Sequence, residues 1–185
     1  SLLSSFWNGA ATCYRGVLGA VSRLGYDIEF LEPDAFGRQQ KRDIDPPGWC
    51  RVTVWPATPQ GLSEAAGRAA KADIVVKASG VGYEDDALHD AILAAAAPDA
   101  LKIFWDVDAP ATLAGLAASS DAPLHHALSQ TDLVLTYGGG QRVVDRYRDF
   151  GVAHCVPIYN SLDPQTHHPV PPDQRFVTDL AFLGN

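Results

Sequence analysis

"DLVLTYGGGQRVVDRYRDFGVAHCVPI", Asp132 to Ile158, reads as strand, turn, helix and strand in immediate succession. An apolar run rich in β-formers stops at three glycines, a polar helix with an apolar stripe follows, and Gly151 frees the chain to start "AHCVPI". A helix of this length between two short strands argues for a right-handed crossover joining parallel neighbours.

The same unit recurs upstream. "LKIFWDVD" (101–108) is a strand that leads through Ala109-Pro110 into a helix, and "DIVVKAS" (73–79) is a buried strand. A helix from Tyr83 to Ala97 follows it, with Asp85 and Asp86 favouring the positive end. "RVTVWP" (51–56) precedes an alanine-rich helix that Thr58 and Pro59 open and that runs to about Lys71. Before it, Cys13, Val17, Ala20, Val21 and Leu24 recur on one face of a helix over Ala10–Leu24, which Gly25 ends, and "YDIEFLE" (26–32) is the next strand. The fold class is therefore α/β, a doubly wound, mostly parallel, Rossmann-like sheet. Its first strand is expected to lie mostly before Ser1, with "SLL" as the remnant, because "SSFWNGA" occupies the place of a first strand-to-helix turn. The chain has no methionine, so Ser1 is not expected to be a translation start, and "DLAFLGN" reads as a strand just begun. Both ends point to a piece of something longer.

At 185 residues, with 46 % hydrophobic and 19 % charged, the chain can bury its own core. A net charge of −8 with scattered Lys and Arg disfavours nucleic acid or an anionic membrane as partner. No apolar run approaches the roughly 20 residues of a membrane span. Cys13, Cys50 and Cys155 are odd in number and far apart, which fits reduced thiols and a cytoplasmic location.

In such a sheet ligands bind past the carboxyl ends of the strands. That rule nominates Asn8 and Gly9, Glu32, Lys77 to Gly80 with Ser79 among them, Asp106 and Asp108, Tyr137 to Gly140 with Gly139 at the centre, and Tyr159-Asn160. Asn8-Gly9 serves equally as an anion-binding helix start or as a plain cap. Glu32 stands where a ribose-binding acid would, but the first turn lacks the three glycines of a dinucleotide site, so no such cofactor is expected. "WDVDAP" puts Asp106 and Asp108 on one face of an extended segment. Asp108 is best read as the cap of the next helix. Asp106 is the candidate catalytic base, against the plainer role of binding loop amides. A phospho-acceptor receiver domain is excluded by where Asp106 falls along the chain. "YGGGQR" lacks the lysine and serine of a P-loop and either cradles a phosphate or lets a loop pass closely. Lys77 either faces an anionic ligand or lays its stem along the sheet. His89, His125 and His126 fall in helices as surface or partly buried residues.

One run, "HCVPIYNSLDPQTHHP" from His154, concentrates metal-binding residue types. His167 and His168 are adjacent and on an extended chain point apart, so no metal site is expected. The turn Asn160-x-x-Asp163-Pro and the proline-rich segment after it look instead like the exit of a domain.

The order "GG…RYRDFGV…VPIYNSLDPQTHHP" resembles the end of the N-terminal domain in GT-B glycosyltransferases, and "SSFWNGAATCYRG", "EPDAFGRQQKRDID", "VVKASGVG", "IFWDVDAPAT", "DLVLTYGGG" and "DLAFLGN" together resemble their bacterial CgeB-like branch, to which spore-maturation proteins belong. The resemblance covers nearly the whole chain. It implies residues 1–160 as a Rossmann-like acceptor-side domain, 161–178 as an interdomain hinge and 179–185 as the start of a donor-binding domain. It further implies a nucleotide-sugar donor, a hydroxyl acceptor and no bound cofactor. Asn8 and Gly9 would match the loop facing the cleft, Asp106 and Asp108 the cleft aspartates, and Asn160 and Asp163 the hinge turn. The choice of Asp106 as base rests on its chemistry alone. A non-catalytic nucleotide- or sugar-binding module, or one that binds a partner protein, is the alternative.

Overall fold

The structure is a computed structural model and describes residues 3–4, 9–80 and 82–182. In chain order it contains α1 (Gly9–Arg23), β1 (Glu29–Asp34), β2 (Arg51–Pro56), α2 (Pro59–Gly67), β3 (Ile74–Ala78) and α3 (Asp85–Ala95). Then come β4 (Leu101–Asp106), α4 (Ala109–Ala118), α5 (Pro123–Ser129), β5 (Leu133–Tyr137), α6 (Gly140–Asp149) and β6 (Cys155–Ile158). Every strand pairing is parallel: β1 with β2, and β3-β4-β5-β6 as a second ladder. This is the expected α/β, Rossmann-like architecture.

Alternation along β4 shows how the sheet is sandwiched, because successive side chains point to opposite faces. Phe104 sits in register with Val134, and Val134 with Cys155, and all three are buried against Leu113 and Leu116 of α4 and Val144 and Tyr147 of α6. The next residue, Trp105, joins Leu3, Cys13 and Tyr14 on the other face. Tyr14 of α1 meets it edge-on at 5.0 Å and 80°. Each such large side chain taken out of water contributes about 1.5–3 kcal/mol. Beneath α2 and α3 a smaller cluster holds Val75, Ile92, Ala66, Ala69 and Ala100, with further alanines packed against it, and these short side chains let the two helices lie close.

Among the described residues the two ladders are bridged rather than hydrogen-bonded. Phe30 and Val52 of the first and Trp105 and Leu135 of the second pack against the same face of α1. Leu3, fully buried there, donates its N–H to Glu32 Oε1 at 2.7 Å. Leu3 and Ser4 form a bend rather than a paired strand, and Ser1 and Leu2 of the expected "SLL" remnant lie outside the described residues.

Three expectations need correction. β1 starts at Glu29 instead of Tyr26, because its register with β2 begins at Glu29 opposite Arg51, and the residues after Gly25, at φ +97°, are still turning. His89 is neither a surface nor a half-buried residue; it is 5 % exposed, stacked on Phe104. Asp179 to Phe182 make no strand, and Leu180 and Phe182 stand exposed; Leu183 to Asn185 lie outside the described residues. Without a partner edge an apolar segment has no ladder to join.

Candidate functional site

The carboxyl end of β4 carries the densest polar network of the chain. Asp106 is the last residue of that strand and fully buried. Its Oδ1 accepts from the Ser79 hydroxyl at 2.9 Å, the Asp108 N–H at 2.9 Å and the Thr112 hydroxyl at 3.0 Å. Its Oδ2 accepts from the phenol of Tyr147. Ser79 in turn accepts from the Val107 N–H at 2.9 Å. One carboxylate thus joins the end of β3, the turn after β4, the first turns of α4 and the middle of α6. Charge-assisted bonds of this kind are the strong ones, and they are what makes burying the charge tolerable.

This geometry corrects the role given to Asp106. A base must reach a proton on the substrate. Asp106 has no exposed surface, and both its oxygens are taken by protein donors, so in this structure it does not reach a substrate proton. The plainer role of binding loop amides is the one observed. Burial, and then the neighbouring Asp106 charge, push the Tyr147 phenol far above its ordinary pKa, so it remains a donor. Thr136, beside Asp106 in the β4–β5 register, is fully buried, and among the described residues its hydroxyl has no partner.

Next to this network, between α3, α4 and α5, lies a pocket of 290 Å³. Ser79 and Thr112 line it on the side of Asp106, with Asp85, Asp86 and His89 of α3, Phe104 of β4 and apolar residues of α4 and α5 among the other lining groups. His89 stacks on Phe104 with ring centroids 5.3 Å apart. Burial, then the Lys77 charge, lower its pKa to about 4, so the imidazole is neutral at neutral pH. Lys77 is 7 % exposed and its ammonium donates to Asp85 Oδ2 at 2.9 Å and to the Ala78 carbonyl at 2.8 Å. Its charge is therefore spent inside the protein, contrary to the anion-facing role.

The remaining nominated residues scatter. Gly9 opens α1 and is exposed; Asn8 lies outside the described residues. Asp108 occupies the cap position of α4, but its exposed side chain makes no capping bond; its carbonyl accepts from Thr112 instead. Glu32 is fully buried and engaged by Leu3, Gln39 and Arg42. Tyr137 is 42 % exposed at the end of β5. Gly138, Gly139 and Gly140 follow with φ of +61°, +74° and +56°, a left-handed turn that side chains resist, and a Cβ at Gly139 would strike Val143. Asn160 is exposed.

Asp163, four residues before His167, is the buried anchor of the exit turn. Arg15 Nε donates to its Oδ2 at 3.0 Å, with both side chains about nine-tenths buried. Arg15 also reaches the Leu3 carbonyl at 2.8 Å, and Ser161 donates to the Cys13 carbonyl at 3.0 Å. The groups of the metal-like run thus go separate ways: Cys155 into the core, Asp163 to Arg15, and His167 toward Thr166 at 2.9 Å. Among the described residues no three ligating side chains converge, and no helix is long and apolar enough to cross a membrane.

Set against known proteins, the chain matches no family model, no curated protein and no solved structure. Sequence reasoning passed over Tyr147, Thr112 and the setting of His89. The available signal for Tyr147 was its place three residues after Val144 on the apolar stripe of a helix that is otherwise polar. Thr112 and His89 carry no comparable mark.

Proposed function

We propose that this chain is the acceptor-side domain of a GT-B-type glycosyltransferase, working with a nucleotide-sugar donor held mainly by a second domain. The observation that carries this reading is the pocket beside Ser79 and Thr112, at the carboxyl ends of β3 and β4, where parallel α/β sheets bind their ligands. The exit turn, pinned to α1 through Arg15 and Asp163, supports it by giving the chain a fixed direction of departure. In the reaction an acceptor hydroxyl oxygen bonds to the anomeric carbon, the bond from that carbon to the diphosphate breaks, and the acceptor's proton passes to a base. Asp106 holds the pocket wall in place for this step, and the base is another group. Donor-side stabilisation of the leaving diphosphate falls to helix dipoles and basic side chains of the second domain.

The test is release of nucleoside diphosphate when the native polypeptide carrying this chain is incubated with UDP-, GDP-, ADP- and dTDP-sugars. Release that depends on an added hydroxyl acceptor supports the proposal. Absence of release with all four classes overturns it. The second reading, a non-catalytic sugar- or nucleotide-binding module, is favoured by one observation: the best-placed carboxylate, Asp106, is saturated by donors. Binding without release in the same assay would establish it.

A further inference from the structure

We infer that the pocket between α3, α4 and α5 is a binding site for a neutral, polyhydroxylated molecule of about monosaccharide size, with His89 and Asp86 as its polar contacts. The inference deepens the transferase reading by naming the acceptor class, and it rests on that reading only for the word acceptor.

Four observations carry it. His89 is 5 % exposed and lines the pocket, yet among the described residues its ring nitrogens make no hydrogen bond; its contact is the stack on Phe104. Its nitrogens are not among the sealed, partnerless atoms of the interior, so they open onto the pocket, where a bound molecule can pair with them. A neutral imidazole offers one donor and one acceptor, which suits a hydroxyl, itself both donor and acceptor.

The charges set the sign of the ligand. Asp85 and Asp86 sit at the pocket and Lys77 is paired with Asp85, which leaves the pocket negative. A phosphate or carboxylate would be repelled, whereas hydroxyl groups donate readily to Asp86, which is exposed. The rest of the lining, Phe104, Leu116, Pro123 and Leu124, is apolar and suits the C–H faces of a sugar ring. At 290 Å³ the space lies just under the roughly 300 Å³ at which drug-sized pockets begin, enough for one sugar ring.

The experiment is an amide chemical-shift titration of the protein with methyl glucoside, methyl galactoside and myo-inositol, with inorganic phosphate as the charged comparison. Saturable shifts on Ser79 to His89 and Thr112 to Leu124 with at least one of the three polyols are expected. His89→Phe, which keeps the stack, should weaken that binding by about tenfold or more. Because a buried substitution can disturb folding, Gly115→Leu is the second variant. Gly115 lines the pocket and a Cβ there meets nothing within 4 Å, so a side chain can start from it into open space, and the variant should also weaken the shifts. Shifts absent with all three polyols, or seen with phosphate alone, overturn the inference, as does binding that Gly115→Leu leaves intact. The diphosphate-release assay separates the two claims. Release without polyol shifts at the pocket removes this site and leaves the transferase; polyol shifts without release keep the site and remove the transferase.

Discussion

Asp106 binds four donors through two oxygens in a place water does not reach. Asp106→Asn keeps the shape but turns an N–H₂ toward groups that themselves donate, so it should lower the unfolding free energy by about 2–4 kcal/mol in urea titration. The opposite sign is expected one strand away. Thr136 carries a buried hydroxyl with no partner among the described residues, and Thr136→Val removes it at constant shape, so the variant should be more stable by about 1 kcal/mol in the same titration. His89 supplies a pH dependence. Its folded pKa, about 4, lies below the ordinary value of 6.5, so between those values the unfolded chain binds more protons and stability falls as pH drops. From about pH 7 to about pH 5 the loss from this group is about 2 kcal/mol. Lys77, Asp85 and Asp86 face it and are common to both proteins, so His89→Phe should flatten the difference in stability between the two pH values, measured by thermal melts.

At the scale of elements, the decisive tie is between α1 and the turn after β6. Arg15 and Asp163 form a largely buried pair, and a Cβ at Gly16 would strike Leu162 and Ser161, so the two segments lie in close contact. Breaking a buried pair strands the remaining charge. Arg15→Ala should cost about 3–5 kcal/mol, Asp163→Ala about the same, and the double variant clearly less than the sum, because the second substitution removes the stranded partner. The check is a double-mutant cycle, with limited proteolysis of residues 159–168 as the structural readout. Helices and strands were legible in the sequence because their periods differ: α6 places Val144 and Tyr147 on one side of a polar helix, and β4 sends Phe104 and Trp105 to opposite faces. The site was legible only as a location. The rule of carboxyl ends pointed to Ser79 and Asp106, but whether a carboxylate faces solvent or its own donors depends on Thr112 and Tyr147, which only the folded chain brings to it. His89 eluded the reading for the same reason, since its burial comes from Phe104 on a strand fifteen residues away.

For the whole molecule, the helices are unevenly distributed. α3 to α6 cover one face of the larger ladder, whereas α1 on the other face packs on Ala78, Trp105, Leu135 and Ile158 near the carboxyl ends. The amino-terminal half of that face leaves Ile74, Val76, Leu101 and Val156 at 40–47 % exposure. Apolar surface gathered in this way favours self-association. Val76→Lys together with Val156→Lys should raise the concentration at which the protein stays monomeric in light scattering, with a melting temperature within a few degrees of the parent, about the shift that ~0.5 kcal/mol produces. The Arg15 anchor has a mechanical consequence. A pull on the chain beyond His168 does not peel β6 from the edge of its ladder, because the load passes through Asp163 into α1, which rests on both ladders at once. Tension on that segment is expected to enter the domain through a helix rather than through a sheet margin.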